Sequence, residues 1–357
     1  MVTRAFYRWH SKWPGDSLTQ GKTQPRLSRR ILLASAFACG LRAQEPEISS
    51  FDFSLLDEWT TPVDLFFVRE HFPVPRVSSA GWKLSLSGTV ATPIEIPFDD
   101  LLAKPQKALP VTMECAENPV AGGLISHAEW SGVSLASLIA RAQPGAEARV
   151  VRLTGADGFS RSIPIEKAMH PETLIARNMN GEKLPVNHGF PLRAVVPGWY
   201  GMDSVKWLRS IEVLAGDTAA QGYRRQVRSL LAGTRPAGAV TAMNVKAAFS
   251  RPVDGAILVG RRFAVRGAAW AGENRVRQVE VSVDGGKSWQ TARLASDPQP
   301  YAWVHWSHGW TIKGPGSYEL AVRASDDKGR EQPAERASER VDDYEWNTFQ
   351  KVRVTVT

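Results

Sequence analysis

Cysteine is almost missing from this chain: two in 357 residues, Cys39 and Cys115. That excludes a disulfide framework, and neither a Cys-x-x-Cys pair nor a His-Glu-x-x-His run is present to build a zinc site. No Cys-x-x-Cys-His stretch exists to attach a haem covalently. The Gly-x-Gly-x-x-Gly turn, the Walker A loop and the Gly-x-Ser-x-Gly elbow are absent too, which removes the usual dinucleotide, P-loop and α/β-hydrolase readings. Outside the first 43 residues no run approaches the ~18 apolar residues of a membrane span. His305 and His308 are a poor metal pair, since one falls in a predicted strand and the other just after it.

What is plentiful is positive charge, but it is local. The chain carries 44 Lys/Arg against 36 Asp/Glu. Residues 1–43 hold eight of the bases and one acid, Asp16, which leaves 36 against 35 for residues 44–357. A nearly neutral body gives no footing for nucleic acid. The basic segment has the layout of an export signal: Ser28-Arg29-Arg30 stands directly before the apolar run Ile31 to Leu41, with small residues after it. Adjacent arginines in that position resemble a twin-arginine signal, with cleavage after Ala43, and residues 1–27 have the character of an upstream extension. The expectation is a periplasmic protein with one remaining thiol. In an oxidising compartment that thiol is at risk unless buried or ligated.

From Phe51 to Pro75 prolines on both sides preclude a long helix, and alternation puts Arg69 and His71 on one side of an extended segment. Strands are predicted at Trp82 to Val90, Val111 to Cys115, Ala148 to Thr154, Leu174 to Met179, Leu192 to Pro197 and Val205 to Val213, with a tight turn at Asn180-Gly181. Short helices are predicted from Phe98 to Leu102, from Ser134 to Arg141 and around Glu166 to Ala168. Mixed elements without strict βαβ alternation indicate an α+β protein, with a mixed α/β domain over 44–216. Residues 217–240, with their Gly, Ala, Arg and Pro236, have the composition of a linker. From 241 to 357 seven short, evenly spaced strands predict an all-β immunoglobulin-like sandwich.

Val111-Thr112-Met113-Glu114-Cys115-Ala116-Glu117-Asn118-Pro119 brings the thiol to the mouth of a turn. There it is a small buried hydrophobe, a nucleophile or a soft metal ligand. Around it lies an ordered set of motifs: Leu65 to Pro75, Glu114 to Asn118, Glu129 to Leu135, Met179 to Pro185, Asn187 to Arg193, Val196 to Gly201 and Ser204 to Leu208. Together these resemble the sulfite oxidase family of molybdenum enzymes, from about residue 50 to the C-terminus. Val281 to Trp289 is similar to that family's dimerisation domain. The resemblance implies one molybdenum per chain on a molybdopterin, with Cys115 as the protein's metal ligand and Arg69 and Trp130 beside it at the catalytic centre. Phe67, Val68, Arg69, Glu70, His71, Asp157, His188, Arg193, Ser204, Val205 and Lys206 would hold the cofactor. The chemistry of these side chains agrees: Arg193 and Lys206 offer charge-assisted donors to a phosphate, and Asp157 can accept from a pterin N–H.

The departures concern substrate. Sulfite-oxidising members carry arginines after the cysteine loop, where Pro119-Val120 stand here. They carry a tyrosine at a place that falls on Val227, and a second-domain arginine at the place of Val304. Glu70 replaces a usual asparagine. Tyr223, Arg225, Arg228 and His305 are the candidates to substitute. The resemblance further implies oxygen-atom transfer on a small-molecule substrate, a homodimer, and electrons passed to a separate carrier such as a c-type cytochrome, with no haem in this chain. Alternatives are a reductase of S-oxides or N-oxides, and an exported binding protein without catalysis.

Overall fold

Alternating burial builds most of the strands. In Gln350–Val356 every second residue, from Gln350 through Val352 and Val354 to Val356, is buried, while Lys351, Arg353 and Thr355 face water. The computed structural model describes residues 48–216, 223–229 and 233–357. The leader expected over 1–43 lies outside them.

The N-terminal region holds two five-stranded sheets. One is antiparallel and runs Glu182–Lys183, Leu174–Met179, Ile125–Ser134, Lys107–Glu114, with Arg193–Val195 also on Leu174–Met179. The other runs Ile94–Pro97, Lys83–Gly88, Leu208–Leu214, Val150–Gly155, Ser160–Pro164, and only its Lys83–Gly88/Leu208–Leu214 pair is parallel. Between them Leu84, Leu86 and Ile211 of one sheet meet Val133, Ile175 and Ala194 of the other. The helix Leu135–Ala142 adds Leu138, Ile139 and Ala142 to this core. That i, i+3, i+4, i+7 spacing gives the helix one apolar face, and it ends at Gln143, left-handed at φ 56°, before Pro144. The Asn180-Gly181 turn forms as expected, with φ of 51° and 79°.

The sandwich follows. Lys246–Arg251, Arg262–Trp270, Val304–Thr311 and Arg293–Leu294 form one sheet. Ile257–Leu258, Gln350–Val356, Gly316–Asp326, Val276–Ser282 and Gln290–Thr291 form the other. Val265, Trp306, Val281, Leu320, Val322 and Val352 fill the space between. Among the described residues no helix is long and apolar enough to cross a membrane.

Three features differ from the sequence-based expectation. The stretch assigned to a linker is, where described, a hairpin of Arg224–Ser229 on Gly233–Ala239, tied to residues 339–345 by Arg228 N–H to Glu339 O and Gln226 N–H to Asp342. Ile125–Ser134 is a long central strand; Ser126, His127 and Gly132 interrupt its apolar pattern, which hid it. Lys246–Arg251 is a strand buried from Lys246 through Ser250, so it shows no alternation at all.

Candidate functional site

The loop after Lys107–Glu114 is pinned before it reaches any chemistry. Cys115 N–H donates to Leu124 O and Asn118 N–H returns to Cys115 O, both at 2.9 Å. The Asn118 amide then ties the loop's two ends: its Oδ1 accepts from Leu124 N–H at 3.0 Å and its Nδ2 donates to Glu114 at 2.9 Å. Glu114 is buried and takes two more donors from the sandwich region, Lys246 Nζ at 2.6 Å and Trp270 Nε1 at 2.9 Å. Three donors on one carboxylate offset its desolvation, so the loop is anchored by residues more than 130 positions away. The Cys115 sulfur accepts from the Glu117 backbone N–H, and burial pushes the thiol up to about 11. Such a thiol is a poor nucleophile at neutral pH and gives up its proton readily only to a metal.

Cys115 opens onto a cavity with about 660 Å³ of empty space, part of it open to solvent, lined by Phe67, Arg69, Glu70, His71, Asp157, Phe159, His188, Arg193, Gly201, Met202, Ser204, Val205, Lys206 and Trp207. Ten of the residues expected at the cofactor therefore share one wall with the thiol. Val68 does not reach it; its side chain is buried and its backbone pairs with Ser49. Trp130, expected beside the metal, does not reach it either. It is fully buried in Ile125–Ser134, and its ring supports Arg193, whose guanidinium carbon lies 4.9 Å from the centroid. The catalytic expectation for Trp130 gives way to a supporting role, because a side chain sealed behind another cannot touch a substrate.

Arg193 is 6% exposed and donates to Ser204 O at 3.2 Å and His188 O at 3.3 Å. Among the described residues no carboxylate pairs with it, and burial draws its pKa down to about 9. Lys206 is drawn down to about 8, chiefly by burial and then by Arg193; it donates to Asn187 O at 2.8 Å and to Glu70 at 3.3 Å. Glu70 thus takes one of the lysine's three donors. His188 is held neutral, near 3, by burial and by Arg193, and its Nε2 donates to Val63 O at 3.2 Å. Burial also raises the Asp157 carboxyl, while Phe159 N–H donates to it at 3.1 Å. Gly189, at φ +109°, lets these segments close up: a Cβ there would meet Lys206 Cα at 3.1 Å.

Around the mouth Glu117, Arg161, Asp203 and Tyr344, to which the sequence assigned no role, join residues it singled out. Arg69 pairs with Glu117 at 3.1 Å. Tyr223 shares a 2.7 Å hydrogen bond with His71, lies under the Arg161 guanidinium, and meets Tyr344 edge to face. Arg161 pairs with the fully buried Asp203 at 2.8 Å. Of the four candidates to complete a substrate pocket, Tyr223 alone comes near. Arg225 is bound through Nε and Nη2 to Glu345, Arg228 is exposed, and His305 lies by a second cavity with Trp59 and Asp297. Val227 pairs with Arg235 in the hairpin, and Val304 is buried in the sandwich.

The donor set fits a molybdopterin. Among the described residues no three His, Cys, Asp or Glu side chains converge on a metal, so a metal bound by Cys115 needs its other ligands from a cofactor. The buried, carboxylate-free Arg193 is matched to an anionic part of such a group.

Comparison with known proteins agrees. Residues 71–223 match the oxidoreductase molybdopterin binding domain, and residues 237–357 the Mo-co oxidoreductase dimerisation domain. Sulfite oxidase of Gallus gallus is 31% identical over 317 residues, 78% of this chain and 69% of that one. NADH nitrate reductase of Lotus japonicus is 30% identical, over 76% of this chain and 36% of that one. The sulfane dehydrogenase SoxCD from Paracoccus pantotrophus superposes with a TM-score of 0.77 at 28% identity, covering 85% of this chain and 83% of that one. The mammalian sulfite oxidases are longer still, and the chain spans 53–58% of them. On the fold, the cavity and these matches together, the chain belongs to the sulfite oxidase-type family of molybdopterin oxidoreductases.

Proposed function

We propose that this chain is the catalytic component of a periplasmic oxygen-atom-transfer enzyme, with Cys115 as its thiolate ligand to molybdenum. When bound, the cofactor supplies two-electron oxygen-atom transfer to or from a small substrate. The protein's share is positioning. Arg193, Lys206, Ser204 and His188 hold the anionic end of the pterin, Asp157 accepts from its ring N–H groups, and Phe67 and Trp207 keep the wall apolar. The loop from Cys115 to Leu124, fixed by Asn118 and Glu114, presents the sulfur at a set place. One observation carries the reading: a half-buried thiol and a buried guanidinium without a carboxylate share a single cavity.

Export by the twin-arginine route, a homodimer through the sandwich region and a separate c-type cytochrome as electron acceptor complete the proposal. The paired Arg29-Arg30 and the dimerisation-domain match support the first two. Metal analysis of the purified protein tests the core of it. About one molybdenum per chain is expected, lost on Cys115→Ala while the variant stays folded. A protein that binds no molybdenum is a scaffold without catalysis. Direction is tested separately, with sulfite and a one-electron acceptor against an S-oxide and a reduced dye. The second direction is kept in view because the arginine at the mouth is already paired with an acid.

A further inference from the structure

An oxyanion pocket works by leaving guanidinium groups uncompensated until the anion arrives. At the mouth of this cavity the cations are already engaged by the protein's own carboxylates. Arg69 pairs with Glu117 at 3.1 Å, and Arg161 with Asp203 at 2.8 Å. Further out, Arg225 and Arg340 are bound to Glu345, and Arg336 to Asp342. Arg193 has no carboxylate, but it is sealed at 6% exposure, whereas Arg69 is 27% exposed and Glu117 37%. Glu117 is also bound to the thiol directly, through its backbone N–H on the Cys115 sulfur. Its carboxylate acts on the cavity through Arg69, which lines it beside Cys115. Beside the polar residues assigned to the cofactor, Phe67, Phe159, Met202 and Trp207 give the cavity an aromatic and apolar share, and Tyr223 hydrogen-bonds His71.

Resting on the cofactor reading above, we propose that Glu117 cancels the charge of Arg69 and so excludes free oxyanions such as sulfite. The substrate is then an uncharged sulfur compound, a thioether or sulfoxide in class, whose polarisable sulfur suits the aromatic wall. Glu117 is in this sense the specificity-determining residue of the site.

The test uses the holoenzyme, with its molybdenum measured, and sulfate as an inert dianion followed by titration calorimetry. Glu117→Gln keeps an acceptor for the Arg69 N–H but removes the charge, so sulfate should bind about tenfold tighter or better. The double variant Arg69→Gln/Glu117→Gln should lose that gain, which places it at Arg69. Melting curves establish that each variant is folded. In turnover assays the same Glu117→Gln change should lower the KM for sulfite and raise that for dimethyl sulfoxide relative to it. Unchanged sulfate affinity in Glu117→Gln overturns the proposal, since a merely orienting carboxylate would behave that way. So does a wild-type holoenzyme that already binds sulfate as tightly as the variant. A protein without molybdenum overturns instead the reading on which this one rests.

Discussion

A buried guanidinium with only carbonyls and an indole for company is costly to fold, and Arg193 is such a group. Its retention makes sense if an anion arrives to neutralise it. Arg193→Met should therefore cut the molybdenum content of the purified protein about tenfold, because a charge-assisted anchor is gone. The cofactor-free protein should change in stability by no more than about 1 kcal/mol, since a lost burial penalty offsets two lost carbonyl bonds. Arg193→Lys keeps the charge but not the planar fork, and should fall between the two. Full molybdenum in the Met variant, read by elemental analysis, would sink the assignment. Lys206 is a weaker anchor on the same grounds, because Glu70 and Asn187 already occupy two of its donors.

The cysteine loop and strand Lys246–Arg251 meet through Glu114, and that junction is where the two halves of the molecule become one element. Lys246→Met leaves the Glu114 carboxylate buried with only Asn118 and Trp270, at a cost of about 3–5 kcal/mol. Lys246→Met/Glu114→Gln should recover more than half of that, because a neutral amide no longer needs a cation. Urea midpoints of the four proteins close the cycle, and additive losses would mean the pair does not interact. No local pattern announces this contact. Residues 114 and 246 lie too far apart for any periodicity to link them, and Lys246 sits in a strand buried on both faces. By contrast Leu135–Ala142 was legible from its spacing and its Gln143-Pro144 stop. The Asn180-Gly181 turn was legible because both residues tolerate positive φ. The cofactor wall was legible only as a set of motifs: nothing in Asn187 to Arg193 or Ser204 to Leu208 alone predicts that Arg193 lines the same cavity as Cys115. Glu117 drew no role of its own in the sequence, because its pairing with Arg69 exists only once the loop is folded, whereas Tyr223 was legible as a pocket candidate and its bond to His71 was not.

At the scale of the whole molecule the sandwich, the N-terminal segment and the first sheet are joined around His127, fully buried beside Trp59 and Trp303. Its protonation state follows from its neighbours. The Trp303 backbone N–H donates to Thr112 Oγ1 at 2.8 Å, and the same hydroxyl hydrogen-bonds His127 Nδ1, also at 2.8 Å. Nδ1 shares one hydrogen bond with that hydroxyl, and Nε2 has no partner among the described residues. A charged ring would carry an N–H at Nε2 with nothing among the described residues to accept it, in a dry site. Burial accordingly holds His127 down to about 3, with His305 adding to the effect. The folded pKa lies below the unfolded one, so the unfolded chain binds more protons between the two. Stability is full above about pH 6.5 and drains away as the pH falls toward 3. By about pH 4.5 this residue alone should remove roughly 2–3 kcal/mol. His127→Gln, which cannot titrate, should start less stable at neutral pH but lose less on acidification. Urea midpoints at the two pH values for both proteins measure the difference of differences. Equal acid losses in wild type and variant would show that the junction of the two halves does not depend on a neutral imidazole.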